Sequence, residues 1–182
     1  MSTLVLPSRD RLPVYVDALQ RAWSPSTTRD VCAERLAAIA EDADVFIQQQ
    51  ITPSGTMALD TGEVAALLPG TSRWIWDESD GFCGSINLRY QRGTTDLPPY
   101  VSGHIGYSVV PWRQRHGHGT AALRLMLPIA AEHGLPHVII TCDTDNEGSR
   151  KVIEANGGVY LQEDDDASHP GTRKRVYEVR IA

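Results

Sequence analysis

The sequence predicts a mixed α/β fold: a mostly antiparallel, twisted sheet flanked by helices, with one central β-loop-α unit. Three observations predict it. Strand-like runs outnumber what a purely parallel sheet would use, and most follow one another through short turns. One run, Tyr100–Val110, enters an amphipathic helix through the basic, glycine-punctuated segment Gln114-Arg115-His116-Gly117-His118-Gly119-Thr120. The chain then closes on two further strand-like runs after a single additional helix.

Taken in order, Thr3–Ser8 reads as a short strand, and Ser8 as the cap of a helix over 9–23 with Pro13 in its first turns. From Arg29 to Gln50, Val31, Leu36, Ile39 and Phe46 recur at helical spacing, giving one or two helices. Residues 50–68 contain the breakers Thr52-Pro53-Ser54-Gly55-Thr56, with Pro69-Gly70 just beyond, and predict no firm element. The runs 72–77 and 82–90 flank a turn and predict a hairpin, and Trp74 and Trp76 share one face of its first strand. A helix over 119–133 follows the basic loop and stops at Gly134, with Pro128 expected to bend it near Arg124. Then come a strand over 137–143, a helix over 146–156 closed by Gly157-Gly158, and an antiparallel pair around the acidic segment 162–171. The 182 residues suit a single domain over 1–182.

Composition excludes several classes. A net charge of −6 leaves no basic surplus for non-specific nucleic-acid binding. Cys32, Cys83 and Cys142 form no C-x-x-C pair, which fits reduced thiols in a cytoplasmic protein. No apolar run approaches the ~20 residues that span a bilayer, and the N-terminus lacks a signal-peptide core, so no membrane partner is expected.

The loop at 114–120 points to an anion. Successive backbone N–H groups at a helix start, together with the helix dipole, attract negative charge. Glycines 117 and 119 permit unusual backbone angles and remove Cβ atoms that would hold a phosphate off. Arg113 and Arg115 add charge and Thr120 a hydroxyl. On the residues alone, the loop can equally be a plain strand-to-helix turn. Gly117-x-Gly119-x-x-Ala122 with Asp143 on the next strand also approaches a dinucleotide fingerprint, although Pro111–His116 intervene and too little chain follows for a doubly wound sheet. His104, His116 and His118 lack a carboxylate or cysteine at ligand spacing, so no metal is expected.

These residues resemble the GNAT superfamily of acyl-CoA-dependent N-acetyltransferases, and a bacterial branch of it in particular. Gln114-Arg115-His116-Gly117-His118-Gly119 matches that family's Q/R-x-x-G-x-G/A loop, Ile105–Pro111 looks like its fourth strand, and Asn146, Ser149 and Gly157 fall on its later motif. The resemblance covers most of the chain and is weakest from 50 to 68. It implies acetyl-CoA as co-substrate, with the pyrophosphate on the amides of Arg115–Thr120 and Gln114 beside them. The pantetheine arm would pair with main-chain groups of Ser108, Val109 and Val110 in a gap between splayed strands, and Asn146 would orient the arm or thiol.

The implied reaction is direct attack of a neutral primary amine, expected on a small molecule, on the thioester within a ternary complex. The oxyanion then needs a fixed N–H, which the resemblance puts at Val109 or Val110. Many relatives carry a Tyr seven residues after the Asn and several a Glu five before it. Here those positions are Ile153 and Thr141. Tyr107, Asp143, His104 and Ser149 remain as proton handlers, beside a water relay. That departure keeps a non-catalytic acyl-CoA sensor open as an alternative, with a dinucleotide-binding protein behind it. The acidic segment, with Asp77, Glu78 and Asp80, would draw in a cationic amine. A homodimer is also open.

Overall fold

A computed structural model describes residues 1–27, 29–58, 62–165 and 171–181. Its first sheet grows from one hairpin. Strand β4 (Gly70–Asp77) pairs antiparallel with β5 (Gly81–Arg89), β1 (Ser2–Val5) adds to one edge and β6 (Ile105–Val109) to the other, in the order β1-β4-β5-β6. Gly81, at φ 70°, turns the hairpin where a side chain would be strained. The segment without a predicted element forms a small hairpin, β2 (Thr56–Ala58) with β3 (Val64–Ala66). The second sheet holds β7 (His137–Asp143), β8 (Val159–Asp165) and β9 (Arg173–Arg180), ordered β7-β9-β8.

Helix α1 (Leu12–Gln20) begins later than the sequence predicts. Arg11 is its N-cap without a side-chain bond, and Pro13, whose missing N–H is harmless in a first turn, sets the start in place of Ser8. The chain leaves α1 through Ala22 in the left-handed region at φ 61°, with Trp23 N–H donating to Ala18 O and Ala22 N–H to Leu19 O. Residues 29–50 resolve into two helices, α2 (Cys32–Glu41) and α3 (Ala43–Ile51), because the Asp42 carboxylate accepts from the amides of Asp44 and Val45 and caps the second. Helix α4 (His118–Glu132) continues unbroken past Pro128, its buried face formed by Ala122, Leu123, Met126 and Ala130. Helix α5 (Glu147–Glu154) is capped by Asn146.

Two cores form on opposite sides of the first sheet. On one side Tyr15 of α1 stacks on Trp74 at 4.9 Å between centroids, and Trp23 and Phe82 meet it edge-on. Trp76 is half-buried in the same cluster, as the shared strand face predicts. On the other side Ile75, Ile86 and Leu88 pack with Leu123 and Met126 of α4 and with Val138, Ile140 and Tyr177 of the second sheet. Among the described residues no helix is long and apolar enough to cross a membrane.

The sheets are clasped at one point. His104 N–H donates to Ile139 O at 2.7 Å, and Ile139 N–H donates to the ring Nδ1 of His104 at 2.9 Å. The predicted strand over 100–110 is therefore shorter, since Pro98, Pro99 and Gly103 lead the chain into this crossing before the ladder with β5 begins. His104 is fully buried, and desolvation, followed by the charges of His137 and Arg89, holds it down to about 4. Because its pKa lies below the ordinary 6.5, stability is complete above pH 6.5 and declines as pH falls toward 4. The expected contribution is roughly 3 kcal/mol. Chemical denaturation of wild type and His104→Gln, compared at pH 7 and pH 4.5, is expected to show a smaller acid loss in the variant.

Candidate functional site

Strand parity decides which backbone groups are free. Val110 N–H donates to Cys83 O at 3.0 Å and Arg89 N–H to His104 O at 2.9 Å, so the even residues of β6 hydrogen-bond to β5. The main-chain groups of Ile105, Tyr107 and Val109 then face the other way, toward β7. No ladder joins β6 to β7 among the described residues, and beyond the His104 clasp the strands stand apart. A cavity of about 770 Å³ lies in this gap, lined from Tyr107–Val109 through Gly117–Thr120 to Asp143 and Asn146–Ser149. Of the two expected oxyanion donors, Val110 is excluded by its bond to Cys83, leaving Val109. Ser108 has its main chain turned to β5, and its hydroxyl accepts from Trp23 Nε1 and donates to Ser24 O. The span Ser108–Val110 thus offers the gap one residue's main chain, and Tyr107 supplies the next.

The basic loop starts at Pro111–Arg113, a single 3₁₀ turn, and the Gln114 side-chain amide donates back to Val109 O at 3.2 Å. Arg115 is left-handed at φ 64°, a strained state for a side-chain-bearing residue, and Gly117 follows at φ 81° as N-cap of α4. No side chain caps that helix, so its first amides open on the cavity. The two glycines serve different ends. A Cβ on Gly117 would meet nothing within 4 Å, whereas one on Gly119 would touch Val152, Tyr107 and Val109 at 3.4–3.7 Å. Gly119 therefore sits in the contact of α4 with β6 and α5, where a single Cβ would make ordinary contact and a larger side chain would be crowded. Arg113 is bound to Asp80 at 2.7 Å, and Arg115 is the exposed cation of the loop. His116 is exposed and outside the cavity lining, while His118 is buried, its Nδ1 2.8 Å from Ser2 Oγ and its Nε2 3.5 Å from Asp80. Among the described residues no three His, Cys, Asp or Glu side chains are placed to hold a metal ion.

At the far end, Tyr107 Oη lies 2.7 Å from Ser149 Oγ, and burial pushes the phenol up to about 12, so it stays protonated. Asn146 Oδ1 accepts from Ser149 N–H at 2.9 Å, and Asn146 lines the cavity. Asp143 is paired with the buried Lys174 at 3.2 Å. Ile153 is fully buried in the core. His104 does not reach this cavity, and with Nδ1 accepting from Ile139 its single proton sits on Nε2. It can donate there but cannot accept, which removes it as a base.

A second cavity, about 560 Å³, lies across the gap. Thr141 and Lys174 line both cavities, which makes the two neighbours. Asp96, Asp164 and Asp165 border the second one, and residues 166–170 of the acidic segment lie outside the described residues. Asp77 and Asp80 do not join that wall: Asp77 holds the Met1 amino group at 2.8 Å and Asp80 holds Arg113. Lys174 carries no signal in the sequence, because its burial depends on the register that sets it opposite Asp143.

The family model described as an acetyltransferase (GNAT) domain matches residues 19–159. Several solved structures share the fold. RimL ribosomal L7/L12 α-N-protein acetyltransferase in complex with coenzyme A is 14% identical, with 99% of this chain and 94% of that one covered at a TM-score of 0.64. An acetyltransferase from Salmonella typhimurium that modifies the N-terminal serine of ribosomal protein L7/L12 is 15% identical over 100% and 95%, at 0.64. The microcin C7 self-immunity acetyltransferase MccE, in complex with acetyl-CoA and AMP, is 15% identical over 99% and 92%, at 0.59. No curated protein matches the chain in sequence. At these identities the likeness is one of fold: antiparallel sheets flanked by helices.

The loop geometry separates its two glycines by stability. Gly119→Val is expected to lose about 1–3 kcal/mol through overpacking, and Gly117→Ala about 1 kcal/mol through its left-handed backbone. Urea denaturation midpoints check the order; equal losses would contradict the packing role of Gly119.

Proposed function

The chain belongs to the GNAT acetyltransferase family, and from that premise we propose that it moves an acetyl group from acetyl-CoA to the primary amine of a small molecule, with both substrates bound together. One observation carries the proposal: two cavities, one lined by β6 and the start of α4 and the other by residues 95–104 and β7, share Thr141 and Lys174 in their lining. Such a pair of cavities lets a thioester and an amine arrive separately and react where they touch. The second cavity has the volume of an ordinary small-ligand site. CoA or acetyl-CoA bound to structures of the same fold supports the donor.

In this reading the open amides at the start of α4, with Arg115 beside them, take the diphosphate. The main-chain groups of Tyr107 hold the pantetheine arm, and Val109 N–H faces the oxygen that gains charge during attack. The amine attacks as the free base, forming the C–N bond as the C–S bond breaks. Its proton leaves through the second cavity, whose rim carries Asp164 and Asp165. Tyr107 and Ser149 form a hydroxyl pair that donates a hydrogen bond to the departing thiolate, a task for which Ile153 offers nothing, and the thiolate then takes its proton from solvent. An available donor favours an enzyme over a sensor.

CoA and acetyl-CoA are expected to raise the melting temperature and NAD to leave it unchanged, with Gly117→Val losing most of the CoA effect. Stabilisation by NAD alone would overturn the proposal. Tyr107→Phe and Ser149→Ala are each expected to lower kcat about 10- to 100-fold in a thiol-release assay while the acetyl-CoA KM stays within about threefold. Full kcat in both variants would remove the hydroxyl pair from the mechanism.

A further inference from the structure

Arg89 closes β5, and its Nε donates to Gly103 O at 2.7 Å. Among the described residues no carboxylate pairs with it, and desolvation alone accounts for the lowering of its pKa. Arg89 is partly buried, and a partly desolvated cation without a counter-charge favours any anion that reaches it. Its free end lies at a bare strand position. Arg89 Nη2 and the Asn87 donor Nδ2 are each 3.6 Å from where a Cβ would sit on Gly106, with Asn87 Oδ1 at 3.3 Å. Asn87 is the direct cross-strand neighbour of Gly106, so both polar ends converge where β6 carries no side chain. Gly106 lines the first cavity, and Ser102 and His104, on either side of Arg89's partner Gly103, line the second.

We propose that Arg89 and Asn87, reaching across the bare Gly106, bind an oxyanion carried by the acceptor, so that the acceptor is an amine bearing a carboxylate. This inference rests on the acetyl-transfer function above. It changes the expected acceptor from a simple cation to a molecule with both charges. Asp96, Asp164 and Asp165 then face its ammonium end on approach, while Arg89 fixes the other end through charge-assisted bonds, two of them parallel when the anion is planar. A phosphonate or phosphinate would use the same donors, and matched acceptors distinguish it.

The test is thiol release from acetyl-CoA with matched sets of acceptors: amino acids, their carboxamides, the decarboxylated amines and the aminophosphonates. The expected result is a kcat/KM for the carboxylates about 10- to 100-fold above the carboxamides and amines, carried mainly by acceptor KM. Arg89→Gln is expected to abolish that preference and Arg89→Lys to keep part of it. A structural role for Arg89 would lower all rates together and leave the ratio unmoved. Equal turnover of amides and acids by wild type, a preference for the aminophosphonates, or a preference that survives Arg89→Gln each overturns the inference. A melting shift with CoA, measured on every variant, separates this failure from the other: a protein that neither binds CoA nor releases thiol loses the acetyl-transfer function, and the inference with it.

Discussion

Everything in this molecule depends on two adjacent strands that fail to pair. β6 and β7 meet at His104 and Ile139 and share no ladder beyond that point. Backbone groups that lose a partner normally find another. Here those of Tyr107 and the N–H of Val109 line a cavity instead, while the Val109 carbonyl accepts from Gln114 and the opposite edge of β6 is satisfied by β5. The clasp is what makes the gap a feature of the fold and not a failure of it. The His104 ring takes the place of a strand carbonyl toward Ile139 N–H, so the two sheets stay joined at one end and diverge toward the other.

Polar groups around the gap divide into those committed to the scaffold and those left over. Arg113, Asp80, His118 and Ser2 tie the base of the loop to the β4–β5 turn and the N-terminus. Asn146 Oδ1 caps α5, and Asp143 is paired with Lys174. What remains is the start of α4, Arg115, the Val109 amide and the Tyr107–Ser149 hydroxyl pair. These are donors, which suits a ligand rich in phosphate and a reaction that builds negative charge on oxygen and then on sulfur. The acceptor side differs: it combines carboxylates at the rim with Arg89 beyond Gly106, and so presents both signs of charge to one small molecule.

Much of the fold was legible in the sequence because local rules carried it. Gly134 and the glycines after α5 stop helices, Asn146 caps one, and β7 falls on the alternating run His137–Asp143 without adjustment. The Gln114–Thr120 loop was legible for the same reason: glycines and a helix start leave a local signature. Where local rules competed, the boundaries shifted. Pro13 displaced Ser8 as the start of α1, and the hairpin β2–β3 formed where breakers hid any pattern.

By itself the sequence determined which segments become strands and helices, and that an anion-binding turn precedes α4, since both follow from backbone preferences within a few residues. Tertiary structure alone decided which amides stay free. Val110 was lost to Cys83 and Val109 kept because antiparallel register assigns alternate residues to opposite edges. It also decided that His104 is a neutral clasp, that Gly119 lies in a helix–strand contact, that Lys174 lines both cavities and that Asn87 and Arg89 converge on Gly106. Each of those outcomes is set by a neighbour distant in the chain, and distance along the chain is where side-chain chemistry stops predicting contact.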